Sequence, residues 1–274
     1  MLLTVSARAQ DNSSSLSKFI HNWEARATAN QAKQPRWIAP LVTTTSELFQ
    51  LYRYDQSRQI APALTHTLNY GYDKGLCLLP WGNLELIVTP PPYIEHNSKA
   101  KDGAGDMAVM GQYRFVTGNE QHGNYSLAGW IYSTVPTGSY SNGVHDATLQ
   151  PTLGGGKGFG KFDVQATLGA ILPLGNTTYK TTGRPILWNT VAQYRTSKYL
   201  VPELESNATY YKDGTNDGKV QEFLTPGLMC GKFRFHPHDL NSRSAVVGGA
   251  GMQIATSRFH TYNHAVVLDL RFLF

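Results

Sequence analysis

HAVVLDLRFLF, residues His264 to Phe274, closes the chain, and its reading decides the rest. Val266, Leu268, Leu270, Phe272 and Phe274 fall on one face; Asp269 and Arg271 fall on the other. A repeat of two marks a β-strand with one apolar side, because successive side chains leave a pleated strand in opposite directions. The run is roughly twice the ~5–6 residues usual for strands of soluble sheets.

The same theme recurs upstream. Ile186, Trp188, Ala192 and Tyr194 alternate with Asn189, Gln193 and Arg195, and Leu200, Leu204, Ala208 and Tyr210 with Glu203, Glu205, Asn207 and Thr209. Val164, Ala166, Leu168, Ala170 and Leu172 alternate with Asp163, Gln165 and Thr167. Met107, Val109, Tyr113 and Phe115 alternate with Asp106, Gln112 and Arg114. The pattern predicts about twelve strands, over residues 46–56, 67–79, 83–92, 105–117, 123–135, 146–155, 161–173, 184–196, 199–211, 220–235, 243–257 and 263–274. The breaks alternate too. Short ones at Pro80–Gly82, Gly118–Gly123, Lys157–Lys161 and Thr196–Lys198 separate longer ones at 93–104, 136–145, 174–183 and 212–219.

A strand that crosses a bilayer needs roughly 9–11 residues, and a closed, even-numbered sheet leaves no unpaired edge in lipid. The predicted fold is therefore all-β: an antiparallel transmembrane β-barrel of about twelve strands, preceded by one short amphipathic helix. A soluble β-sandwich also alternates, but with shorter strands and more surface charge. Here 16% of residues are charged against 41% hydrophobic, with 26 Gly and 15 Tyr. That apolar content excludes disorder. No apolar run approaches the ~18 residues of a spanning helix, and two cysteines do not make a disulfide scaffold. Cys77 and Cys230 fall in the second and tenth strands, which are not neighbours, and are expected as separate buried thiols. The net charge of +5 is spread thinly along the chain, which argues against a nucleic-acid partner.

If the last strand descends to the periplasm, the longer breaks and Ser257–Tyr262 lie outside and the short turns inside. The first strand then ascends and leaves the N-terminal arm in the periplasm. Tyr52, Tyr54, Tyr70, Tyr113, Trp130, Trp188, Tyr210 and Phe272 are expected in aromatic girdles. Leu2, Leu3 and Val5 before Ala7-Arg8-Ala9 resemble the end of a secretory leader. The domain plan is a leader remnant at 1–9, a periplasmic arm at 10–45 and the barrel at 46–274. Within the arm Leu16, Phe19, Ile20, Trp23 and Ala27 recur at helical spacing, with Ser15 as N-cap and Pro35 as the stop. Their stripe needs a cover, and the barrel mouth, a partner or a membrane surface would each serve.

Several stretches resemble outer-membrane proteins of the meta-pathway phenol-degradation family. They are Pro40–Asp55 (PLVTTTSELFQLYRYD), Lys74–Pro92 (KGLCLLPWGNLELIVTPPP), Gly105–Gly138, Gly156–Pro173, Asn216–Gly227 and Phe259–Phe274. The resemblance implies a Gram-negative outer-membrane barrel that passes small hydrophobic or aromatic compounds. It also implies that the closing strand, with Phe272 and Phe274, is the signal read by the barrel-assembly machinery. It carries over no catalytic or binding residues.

Motifs that could support chemistry are weak. Gly155-Gly-Lys-Gly-Phe-Gly160-Lys161 nearly spells a phosphate-binding loop, but Phe162 stands where a hydroxyl is needed and strands flank it. His236, His238 and Asp239, or His260 and His264, offer imidazole and carboxylate ligands at spacings that do not specify a metal. Ser141, His145 and Asp146 sit within a single loop, a poor support for serine catalysis. No cofactor or metal is expected, and no catalytic residue.

The polar face is more informative. Arg53, Glu85, Asp106, Gln112, Arg114, Asp163, Gln165, Arg195, Glu203, Glu205, Asp269 and Arg271 would all project inward. A charge facing lipid at mid-bilayer costs roughly 2–4 kcal/mol for Lys or Arg, so these groups belong in the lumen. They either line a narrow aqueous path with acidic and basic walls or pair into ladders that fill it. Six acids against four arginines leave some charge solvated, which favours the path. The expected function is a porin-like channel for small solutes in outer-membrane lipid. The alternatives are a plugged structural or adhesion barrel acting through its loops and, less favoured, an outer-membrane lipid hydrolase.

Overall fold

The computed structural model describes residues 15–72, 74–236, 238 and 243–274. The expected leader at 1–9 and the start of the arm lie outside the described residues, as does Asp239.

Twelve strands close into one antiparallel barrel. β1 is Leu51–Ile60, and β2 has two pieces, His66–Tyr70 and Leu76–Trp81. β3 comprises Leu84–Thr89 and Tyr93–His96, and β4 Gly103–Ala104 and Met107–Gly118. β5 is Tyr125–Val135 and β6 Thr148–Phe159; β7 runs as Phe162–Ala170 and Leu172–Pro173. Ile186–Tyr194, Leu200–Tyr210 and Val220–Arg234 form β8, β9 and β10. Ala245–Ala255 and His264–Leu273 form β11 and β12. Each strand pairs with its sequence neighbour, and β12 pairs with β1 from Leu51↔Leu273 to Ile60↔His264. That last ladder removes both edges, which lipid demands.

Three adjacent strands break at one level: after Tyr70 and before Leu76, at residues 90–92, and at residues 105–106. Pro90-Pro91-Pro92 supplies no N–H there. The ladder resumes through Gly105 N–H donating to the Pro92 carbonyl at 2.7 Å.

The outward face is mostly apolar, with Gln56 and Arg58 of β1 and Lys157 of β6 as exceptions. On β12, Val266, Leu268, Leu270 and Phe272 are exposed while Ala265, Val267, Asp269, Arg271 and Leu273 are buried. Exposed aromatic side chains gather at the end with the short turns: Tyr52, Trp81, Phe115, Tyr125, Phe159, Phe162, Tyr194 and Phe272. This is a girdle at a membrane–water boundary. Trp130, expected in a girdle, instead faces the lumen and is 5% exposed. Parity decides it: Ser126, Ala128 and Trp130 share the inner face of β5, and Gly154, opposite Ala128, leaves room for the indole.

Two strand boundaries move. β1 begins at Leu51 rather than 46, because residues 45–50 lie in the lumen before the ladder starts. The glycine-rich run expected as a turn at 157–161 pairs as far as Phe159, so the turn shrinks to Gly160-Lys161, with Gly160 at φ +66°. Only a residue tolerant of positive φ closes so tight a hairpin.

Helix α1 (Ser15–Lys33) lies across the short-turn mouth. Its C-terminal half is anchored: Ala27 and Asn30 are buried, and Arg26 donates to the Pro80 carbonyl. Asn119 holds the Ala32 carbonyl at 3.0 Å. Phe19 and Ile20, on the expected stripe, stay exposed. A second short helix, α2 (Asn176–Thr182), sits in a long loop at the other end, where Asp146 accepts from Thr178 N–H at 2.7 Å.

Candidate functional site

The lumen of the short-turn half is occupied by the chain itself. After α1 the backbone turns at Pro35, enters the barrel at Trp37 and leaves it at Leu51, the start of β1. Leu41, Thr43, Thr45, Ser46, Glu47, Leu48 and Gln50 are all buried. The arm assigned to 10–45 therefore divides in space: its helix caps the mouth, and residues 37–45 continue into the barrel with 46–50.

This segment has no ladder of its own, so its backbone polar groups must find side chains. The inward charges supply them. Arg271 donates to the carbonyls of Ala39 at 2.6 Å and Pro40 at 2.8 Å, and Arg53 to those of Pro40 at 3.3 Å and Leu41. Both guanidiniums are held in place by carboxylates. Arg53 Nε lies 2.8 Å from Asp55, Arg53 Nη2 3.0 Å from Asp269, and Arg271 Nε 2.8 Å from Asp269. On β9, separated from them by β10 and β11, acids take the opposite role. Glu203 accepts from Leu41 N–H at 2.9 Å, and the two oxygens of Glu205 accept from Val42 at 2.8 Å and Thr43 at 2.7 Å. Basic groups read the carbonyls and acidic groups the amides of the same short stretch.

Neutral residues continue the pattern. Gln112 donates to the carbonyls of Thr45 and Glu47 at 3.1 and 3.2 Å, and Ser126 to that of Ser46 at 3.0 Å. Thr45 donates to Gln165 at 2.7 Å, and Phe49 N–H to Glu85 at 3.2 Å. Arg114 ties the helix end down through Gln34 at 2.6 Å and Asn30 at 2.7 Å. Gln34 in turn pairs with the backbone of Leu48, donating at 3.0 Å and accepting at 3.1 Å.

Two other residues from the polar face lie elsewhere. Arg195, half-buried at the short-turn mouth, donates to the Arg36 carbonyl. Asp106 falls in the break within β4 and accepts from Thr137, Gly138 and Val144 N–H groups at 3.0, 2.8 and 2.7 Å. It shapes the long 136–147 loop. Asp163 is buried beside Gln165, which donates to it at 3.2 Å.

Glycines make the space. A Cβ on Gly156 would meet the Trp37 ring at 2.7 Å, and one on Gly251 would meet Leu41 at 2.5 Å. Gly249 faces the same leucine at 3.1 Å. The inner faces of β6 and β11 are thus hollowed where Trp37 and Leu41 of the segment dock. The run that resembles a phosphate-binding loop has this packing role.

The fit is close but not complete. A void of about 30 Å³ remains between the segment and the β1–β4 wall, room for about two waters. The Glu47 carboxylate borders it, and both its oxygens are buried without a hydrogen-bond partner. At the opposite end His260 bonds the Ser257 carbonyl and Asn263 at 3.0 Å each, within its own loop. Cys77 and Cys230 are free thiols.

Comparison with known proteins agrees on the fold. The COG4313 outer membrane channel from Pseudomonas putida F1 superposes with a TM-score of 0.54 at 16% identity, over 82% of this chain and 94% of that one. The chain is an outer-membrane-type β-barrel. The NanC porin is also similar, with a TM-score of 0.51 at 8% identity over 81% of this chain and 98% of that one. No protein-family model and no curated sequence matches the chain. At these identities the likeness is one of architecture.

Proposed function

We propose that this chain is a channel for the passive passage of small solutes across the outer membrane of a Gram-negative bacterium, with a lumen closed by its own residues 37–50. One observation carries the reading. The segment is gripped through its backbone by side chains of the wall, above all Arg53, Arg271, Glu203 and Glu205. Such bonds exchange with water one at a time at a net ~0.5–3 kcal/mol each, unlike a continuous ladder. With the segment displaced, the same groups line an aqueous path with paired arginines and aspartates at β1 and β12 and carboxylates at β9. The kinship in fold with a channel and a porin supports the reading, and the resemblance to the phenol-degradation family points to hydrophobic or aromatic solutes.

The girdled end with the short turns is the periplasmic one in this reading, so α1 and the arm face the periplasm. Phe272 and Phe274, both exposed on the outer face, serve as the signal for the assembly machinery. Deleting Phe274 then lowers inserted protein in cells while leaving refolding in detergent nearly intact.

A permanently plugged structural barrel is the second reading, and the small residual void favours it. Liposome uptake separates the two. Entry of phenols, aromatic acids or sugars into proteoliposomes, above protein-free controls, supports the channel. No entry of any of them establishes the plug.

A further inference from the structure

Basic side chains gather at one place. A cavity of about 570 Å³ lies at the short-turn mouth, between the end of α1 and the β8–β12 side of the wall. That volume lies within the range of small-molecule sites. Arg36, Arg195, Lys198, Lys232, Arg234 and Arg243 line it, and no carboxylate does among the described residues. Arg271 also reaches it but is committed to Asp269 and to the luminal segment. The acids nearby are Glu120, 3.9 Å from an Arg36 side chain that is 80% exposed, Glu24 of α1, which attracts Arg243 through space, and Glu47, which attracts Lys232 in the same way.

Two of these cations are placed by particular features, and Arg243 at some cost. Nε, Nη1 and Nη2 of Arg243 are all buried, and none has a hydrogen-bond partner among the described residues. A guanidinium carries five N–H donors, and leaving them unmet inside protein is expensive. Lys232 is the extra residue of a bulge between Gly231 and Phe233 on β10. Bulges re-aim side chains: Phe233 points outward and stacks on Tyr199 at 5.2 Å, while Lys232 borders the cavity. Like charges converging on one concave space focus a positive potential there and attract a counter-ion. Trp37, Val247 and Leu273 add an apolar stretch to the lining, and Thr28, Gln31 and Gln34 of the α1 side add uncharged polar groups.

We infer that this vestibule binds a small organic carboxylate with an apolar body, its head between Arg243 and Lys232 and its body against Trp37, Val247 and Leu273. The inference rests on the channel reading only for its consequence, which is that the solutes served are anions. Binding itself stands whether or not the barrel conducts.

Calorimetry on the full chain in a neutral detergent tests it with three probes. Benzoate has both head and body, benzamide keeps the shape without the charge, and acetate keeps the charge without the body. Benzoate is expected to bind, more weakly as salt rises, with benzamide and acetate at least tenfold weaker. Arg243→Gln with Lys232→Gln is expected to weaken benzoate at least tenfold. If that barrel does not fold, Arg234→Gln with Lys198→Gln, both exposed, carries the same test. Benzamide or acetate matching benzoate overturns the inference, as does undiminished binding in the folded variant. Benzoate binding without conductance overturns the channel reading alone; conductance without benzoate binding overturns this inference alone.

Discussion

At the scale of single residues, Arg53, Arg271, Glu85, Glu203 and Glu205 each act on a backbone atom of the luminal segment. Glu205 is the clearest: fully buried, it takes two consecutive amide protons, from Val42 and Thr43. Hydrogen bonds to a charged acceptor contribute roughly 1.5–3 kcal/mol each, against ~0.5–1.5 for neutral partners. Glu205→Gln keeps the size, removes the charge and leaves one oxygen for two donors. The luminal segment is then held less firmly by about 1–3 kcal/mol. A reporter thiol at the half-buried Thr44, in a chain without Cys77 and Cys230, checks this. Its labelling by a small reagent is expected to quicken about fivefold or more, and an unchanged rate would show that Glu205 does not hold the segment. That these side chains face inward was legible in the sequence, because a strand of period two fixes the side of every residue once one is known. Asp106 shows where the rule stops. It lies inside the break of β4, and parity does not carry through a break.

At the scale of elements, the twelve strands were readable and the luminal segment was not. A strand in a barrel wall sees lipid on one side and protein on the other, and so alternates. Residues 37–50 meet protein on all sides and carry no period, so Ser46–Gln50 read as the start of β1. The usable signal lay on the walls, where Gly156 on β6 and Gly249 and Gly251 on β11 leave inward positions without side chains. Such gaps in a lumen imply something large between them. Gly156→Ala tests this, since its Cβ meets only side chains, the Trp37 ring at 2.7 Å and Gln165 at 2.9 Å. Faster labelling of the Thr44→Cys reporter is expected, and Trp37→Ala in the same chain should reverse it. Gly82→Ala, with nothing within 4 Å, serves as the neutral control. The outer face has its own test. Leu268, mid-way along β12, is 47% exposed. Leu268→Lys should destabilise the refolded barrel by roughly 2–4 kcal/mol in denaturant titration. Unaltered stability would remove that strand's lipid face.

At the scale of the whole molecule, three features belong to one design: a closed wall, an apolar belt with an aromatic girdle, and a lumen closed from within. α1 anchors one end of the segment at the mouth, and the start of β1 anchors the other. The segment is therefore a loop tethered at both ends, free to leave the lumen only as a unit. Thr43 is its contact with mid-barrel, where its hydroxyl accepts from Asn207 at 2.9 Å. That pair permits a reversible lock. In a chain lacking Cys77 and Cys230, Thr43→Cys with Asn207→Cys forms a disulfide that fixes the segment under oxidising conditions. The deciding measurement is single-channel current of this protein in planar bilayers before and after reduction. The account predicts silence when oxidised and openings like those of the unmodified protein when reduced. Equal current in both states, or none in either, would contradict it.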